Sequence, residues 1–142
     1  MKRDLRLHGL SSDHHHALVL ARRLLRASTQ ERRDPARVAQ VRDRLDRELA
    51  PHFAVEEELL VPALRAAGEQ ATVERVLSDH AALRAVLTAG AEGDVDRLAG
   101  FAELLTEHVR FEERELFPLC EQRVPAAVLD EVALRAPKRS QR

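Results

Sequence analysis

Residues 52–62 read HFAVEEELLVP, and residues 108–118, 56 positions later, read HVRFEERELFP. Each copy sets a His, a Glu four residues on, a second Glu beside it, an apolar pair and a Pro ten residues after the His. On a helix, positions i and i+4 lie one above the other, about 5–6 Å apart. His52 with Glu56, and His108 with Glu112, therefore share a side of their helices. Both pairs are embedded in apolar stripes, so both are expected to look inward. An unpartnered carboxylate in a core costs several kcal/mol even after relaxation. Two inward Glu and two inward His need a partner, and a cation supplies one.

Outward from these stretches, LSSDHHHALV (10–19) and VLSDHAALRAV (76–86) share a Ser-Asp-His step. The chain thus reads as two copies of a helical hairpin, each offering a His near the start of one helix and His-x-x-x-Glu late in the next. In the first helix His14 falls near the centre of the apolar stripe, His15 on its edge and His16 toward solvent. His15 shares the His-x-x-Leu spacing of His80 and Leu83, so His14 ranks first and His15 second. The candidate metal ligands are His14, His15, His52, Glu56, His80, His108 and Glu112. Four imidazoles and two bridging carboxylates suit two metal ions joined by an oxo or hydroxo oxygen from water, with a position left open on each. Mixed nitrogen and oxygen donors without thiolate favour iron over manganese or zinc.

The rest of the chain agrees with a helical host. Of 142 residues, 44% are hydrophobic and 33% charged, with four Phe, no Trp or Tyr, and five Gly. That composition favours helix over sheet and fits one domain over 1–142, with its core at about residues 10–125 and a frayed tail at 137–142. Helices are expected from Ser11–Asp13 to an end near Thr29 to Asp34, from Pro35 (capped by Asp34) through Pro51 with a kink and fading after Pro62 toward Gly68, and from about Glu69 to Ala89. A fourth, capped by Asp94, leads into the second repeat, and a short fifth follows Pro125. The expected fold is all-α, an up-down-up-down four-helix bundle with a short extra C-terminal helix.

A net charge of −1 points to no nucleic acid and no anionic membrane as partner. The arginine runs alternate with acids at helical spacing, as a solvated face does. No signal-peptide core or membrane span stands out, and the single Cys120 builds no disulfide framework, so the expected compartment is the cytoplasm. Cys120 is expected to be a small buried hydrophobe, His8 an exposed loop residue, and Glu57 and Glu113 solvent-facing rather than behind the ligands. Pro62 and Pro118 are expected to terminate or bend their helices.

HFAVEEELLVP and HVRFEERELFP, with His14 or His15 and His80, resemble the hemerythrin-like family, the HHE cation-binding domain, over residues 10–125. The resemblance implies a four-helix bundle with a non-haem di-iron centre. Such a centre would bind or sense dioxygen, peroxide or nitric oxide, handle iron, or turn over peroxide or nitric oxide in stress responses and iron–sulfur repair. One departure stands out: the oxygen carriers of the family have a further His one turn after the third-helix ligand, and Arg84 occupies that place here. The ligand set is more similar to the stress-response branch, although the N-terminal stretch lacks the cysteines often found there. Binding protein and enzyme both remain open, as does an interaction bundle without metal. So do an electron-transfer partner and a monomeric or homodimeric state.

Overall fold

The structure, a computed structural model, describes residues 2–29, 34–88 and 95–137, and among these it contains helices and no strand. A 3-10 turn at Leu5–Leu7 leads into α1 (His8–Thr29). Then come α2 (Pro35–Val55), a π-helical turn (Glu56–Leu60) and α3 (Val61–Ala66), followed by α4 (Gln70–Thr88). The second half repeats the pattern with α5 (Val95–Phe111), a π-helical turn (Glu112–Leu116) and α6 (Phe117–Arg123), and α7 (Ala126–Arg135) closes the described chain. α1 packs against α2 and α5, and α4 against α5 and α2.

Local chemistry accounts for most boundaries. Asp34 accepts hydrogen bonds from the backbone N–H groups of Ala36 and Arg37, with Pro35 as the first helical residue. α2 then runs through Pro51 without ending. Gly68, at φ +83°, lets the chain turn between α3 and α4. The first helix starts earlier than its Ser11–Asp13 caps suggest. Asp4 caps the preceding 3-10 turn by accepting from Arg6 N–H, and the fully buried Leu7 and Leu10 draw this segment into the core. His8 accordingly sits in the first turn of α1, half-buried, with Nε2 3.1 Å from the Arg3 carbonyl, rather than in an exposed loop. The expected Asp94 cap lies outside the described residues.

Both repeats contain a feature that the spacing does not announce. At Glu56 and Glu112 the helix widens by one residue, so that Val61 N–H reaches back five residues to the Glu56 carbonyl, and Phe117 N–H to the Glu112 carbonyl. Pro62 and Pro118 follow directly and bring no N–H to a further π-type bond. The helices do not stop at these prolines; the first continues to Ala66, just short of Gly68, and the second to Arg123.

The core falls into two apolar clusters. One gathers Leu7, Leu10, Leu60, Leu64, Val73 and Phe117 with α7, and the other gathers Leu20, Leu24, Leu45, Leu83, Phe101 and Leu105. Between them, along every long helix, lies a buried layer of His and Glu. Cys120 is buried in the first cluster, and burial raises its thiol pKa far above the ordinary value. Gly9 lies under the chain that follows α7, where a Cβ would overlap the Ala136 carbonyl, so the N-terminal turn of α1 and the end of α7 pack backbone to backbone.

Candidate metal centre

Six of the seven residues singled out from the sequence meet in that layer. His14 comes from α1, His52 from α2, Glu56 from the first π-turn, His80 from α4, His108 from α5 and Glu112 from the second π-turn. All are 4% exposed or less, and Glu56, His80 and Glu112 are fully buried. His15 is exposed and belongs to neither group of converging donors. The stripe that puts His14 at its centre is the stripe that packs, with Ala17, Ala21 and Leu24 beneath it, and one residue on the direction has turned by about 100°.

The converging atoms form two groups: His14, His52, Glu56 and Glu112 in one, and His80, His108, Glu56 and Glu112 in the other. Within each, one donor atom per residue lies within 4.8 Å of the others. Both carboxylates belong to both groups. His14 Nε2 is 2.7 Å from Glu112 Oε1, His52 Nε2 is 3.2 Å from Glu56 Oε2, His80 Nε2 is 3.0 Å from Glu56 Oε1, and His108 Nε2 is 3.0 Å from Glu112 Oε2. Despite that closeness, Nε2 of His52, His80 and His108, both oxygens of Glu56 and Oε2 of Glu112 have no hydrogen-bond partner. Buried polar atoms are normally satisfied. Six orphans facing one space are what a donor set aimed at cations looks like.

The other face of each imidazole is occupied. His14 Nδ1 bonds Glu113 at 2.7 Å, His52 Nδ1 bonds Asp13 at 3.1 Å, His80 Nδ1 bonds Glu57 at 2.6 Å, and His108 Nδ1 bonds Asp79 at 2.8 Å. A carboxylate on Nδ1 holds the proton there and leaves the Nε2 lone pair of His52, His80 and His108 free for a metal, while His14 Nε2 shares a hydrogen bond with Glu112. Asp13 and Asp79 supply the Asp of the two Ser-Asp-His steps. Glu57 and Glu113 are the residues expected to face solvent; instead each reaches a histidine of the other hairpin. Their neighbour relation to Glu56 and Glu112 was visible, but the histidine that each one meets lies on a different helix.

The electrostatics follow from this crowding. Burial works to lower the His80 pKa, but the nearby carboxylates of Glu112 and Glu56 outweigh it and push the value up to about 10. His14, His52 and His108 are raised by the same contest between burial and nearby carboxylates. Burial would raise Glu112, yet the close imidazole of His108, with those of His14 and His52, holds it well below the usual carboxylate range. In the absence of a cation, protons on the imidazoles offset the buried negative charge.

Three of the four phenylalanines in the chain border the layer. Phe53 stacks on His80 with centroids 4.1 Å apart, Phe117 stacks on His14 at 5.4 Å, and Phe111 lies 6.5 Å from His108. They keep the imidazoles in fixed orientations and water at a distance. A groove of about 970 Å³ between α1 and α2, lined by Arg23, Arg26, Arg37, Arg44 and Arg47 among others, shares no residue with the layer. Among the described residues no helix is long and apolar enough to cross a membrane.

No curated protein and no solved structure matches the chain. The family model of the hemerythrin HHE cation-binding domain matches residues 6–120, which include every residue of the His–Glu layer. With that span, and with buried histidines and glutamates grouped as cation donors, the chain belongs to the hemerythrin HHE cation-binding domain family.

Proposed function

We propose that this chain is a non-haem di-iron protein that binds or senses a small ligand, dioxygen, peroxide or nitric oxide, within an up-down-up-down bundle. His14 and His52 would hold one ion, His80 and His108 the other, and Glu56 and Glu112 would bridge them. The observation that carries the reading is the set of six buried donor atoms without hydrogen bonds, each imidazole among them anchored from behind by a carboxylate. Four nitrogens, two shared carboxylates and no thiolate suit iron best. Two imidazoles and two carboxylate oxygens leave each ion short of a full octahedron, and iron with an open position supplies redox chemistry toward small oxidants or nitric oxide.

The protein's own contribution is then to hold and shield. Glu113, Asp13, Glu57 and Asp79 set the imidazole tautomers. Phe53, Phe111 and Phe117 restrict the space to small, uncharged guests. The ring of contacts from α1 to α2, α4, α5 and back to α1 supports the bundle topology.

The test is metal analysis of protein made in iron-replete medium, with a visible spectrum in air and after reduction. About two iron ions per chain are expected, with an absorption band that bleaches on reduction. Colourless protein without bound metal would overturn the reading and leave a bundle whose histidines and glutamates pair with each other.

A further inference from the structure

Three arginines reach the donor histidines indirectly, all by the same construction. Arg84 holds Glu57 at two points, Nη1 to Oε2 at 2.7 Å and Nη2 to Oε1 at 3.2 Å, and Glu57 Oε2 is 2.6 Å from His80 Nδ1. The same guanidinium lies 5.2 Å from the centre of the Phe53 ring, which itself stacks on His80. Arg84 therefore meets His80 through its hydrogen-bond partner and through its stacking partner. Arg3 repeats the arrangement at His14, 3.5 Å from Glu113 and 5.4 Å over Phe117. Arg75 does so at His108, 3.1 Å from Asp79 and 4.5 Å over Phe111.

The sequence repeat does not generate this recurrence. Arg3 lies ahead of α1, Arg75 precedes His80 in α4, and Arg84 follows it by one turn. Unrelated chain positions converge on one device. A carboxylate that accepts the Nδ1 proton increases the electron donation of the imidazole through Nε2. A guanidinium gripping that carboxylate by charge-assisted bonds withdraws part of the effect and fixes its geometry.

We propose that Arg84, with Arg3 and Arg75 as its counterparts, is a positioning residue that sets how strongly His80 donates to the metal, acting through Glu57. The inference rests on the di-iron reading and adds to it the groups that set the reduction potential of the centre.

The test is a spectroelectrochemical titration of the iron-loaded full chain, with iron content measured first. Arg84→Gln removes the positive charge that moderates Glu57, so the ferric state gains and the midpoint moves to lower potential. Glu57→Gln keeps an acceptor at His80 Nδ1 but loses the negative charge, so the midpoint moves to higher potential. Arg3→Gln should move it in the same direction as Arg84→Gln, and Arg84→Lys should recover part of the shift. Arg37→Gln, exposed at the start of α2, measures the effect of a remote charge. Opposite shifts for Arg84→Gln and Glu57→Gln, each exceeding that of Arg37→Gln, support the proposal. Shifts of the same sign, or an Arg84→Gln shift no larger than the remote control, overturn it while the iron reading stands. Wild-type protein that takes up no iron would overturn that reading, and this proposal with it.

Discussion

The two Asp and the two Glu behind the histidines solve the same problem in different directions. Asp13 bonds His52 and Asp79 bonds His108, each within its own helical hairpin. Glu57 bonds His80 and Glu113 bonds His14, each across to the other hairpin. The aspartates thus orient an imidazole inside a unit that the chain already joins. The glutamates orient one and also tie the two units together. The difference teaches how a duplicated sequence becomes one centre: the repeat supplies the donors twice, and the crossing carboxylates make the copies interdependent.

The largest effect should come from removing what both halves share. Glu112 has an oxygen within 3.8 Å of a nitrogen of each of the four histidines. Glu112→Gln and Glu56→Gln should each cut bound metal from about two ions to near none. His52→Ala, which belongs to one group only, should leave about one. Elemental analysis checks both, and His52→Ala protein retaining a full complement would show that the two groups are not separate positions.

Chelation comes next. Metal that binds only the folded chain at 1,000 times its dissociation constant stabilises it by about 4 kcal/mol, and its removal should lower the thermal midpoint accordingly in calorimetry. A midpoint indifferent to chelator would mean that the crossing carboxylates hold the halves together without help.

Smaller effects separate the two kinds of carboxylate. Asp79→Asn, Asp13→Asn, Glu57→Gln and Glu113→Gln should each weaken metal affinity about 10–100-fold. Of these, the two Glu changes should cost the metal-free protein more thermal stability, since only they loosen contacts between hairpins. Equal losses in the four metal-free variants would erase the distinction. The mildest signature is in pH. The His80 pKa is raised from 6.5 to about 10, so its share of stability in the metal-free protein is fully present below pH 6.5 and is lost as pH rises through about 10. Thermal midpoints of metal-free protein from pH 7 to 10 should therefore fall, and a flat profile would show that the imidazoles are neutral there.

Much of this candidate centre was legible from spacing because the residues that converge in it obey helix arithmetic. His52 with Glu56 and His108 with Glu112 are i, i+4 pairs, and His14 was separable from His15 because one packs on the apolar stripe. The outer carboxylates were not legible, although the Ser-Asp-His step stood out twice. Asp13 and Asp79 act on histidines 39 and 29 residues away, so their roles exist only once helices pack. Glu57 and Glu113 lie about 100° from their neighbours on a helix, which suggests solvent until a second helix brings a histidine to them. The π-turns were hidden for a related reason: the hydrogen-bond register is not written in apolar periodicity, and a proline reads first as an ending.

Those widened turns have a consequence for how the chain tolerates changes in length. With one residue added at each glutamate, Leu60 and Val61 are both buried, and Leu64 and Cys120 keep their seats in the lower core. Deleting a single residue from 58–60 would restore ordinary winding, with Val61 N–H still on the Glu56 carbonyl, now four residues back, so everything beyond it would keep its face. Leu64 would stay on the core, whereas a deletion from 53–55, where the winding is already ordinary, would rotate Glu56 and all beyond it by about 100° relative to His52. The chain should therefore accept a one-residue deletion from 58–60 more readily than one from 53–55, and the yield of folded protein from such variants would register the contrast.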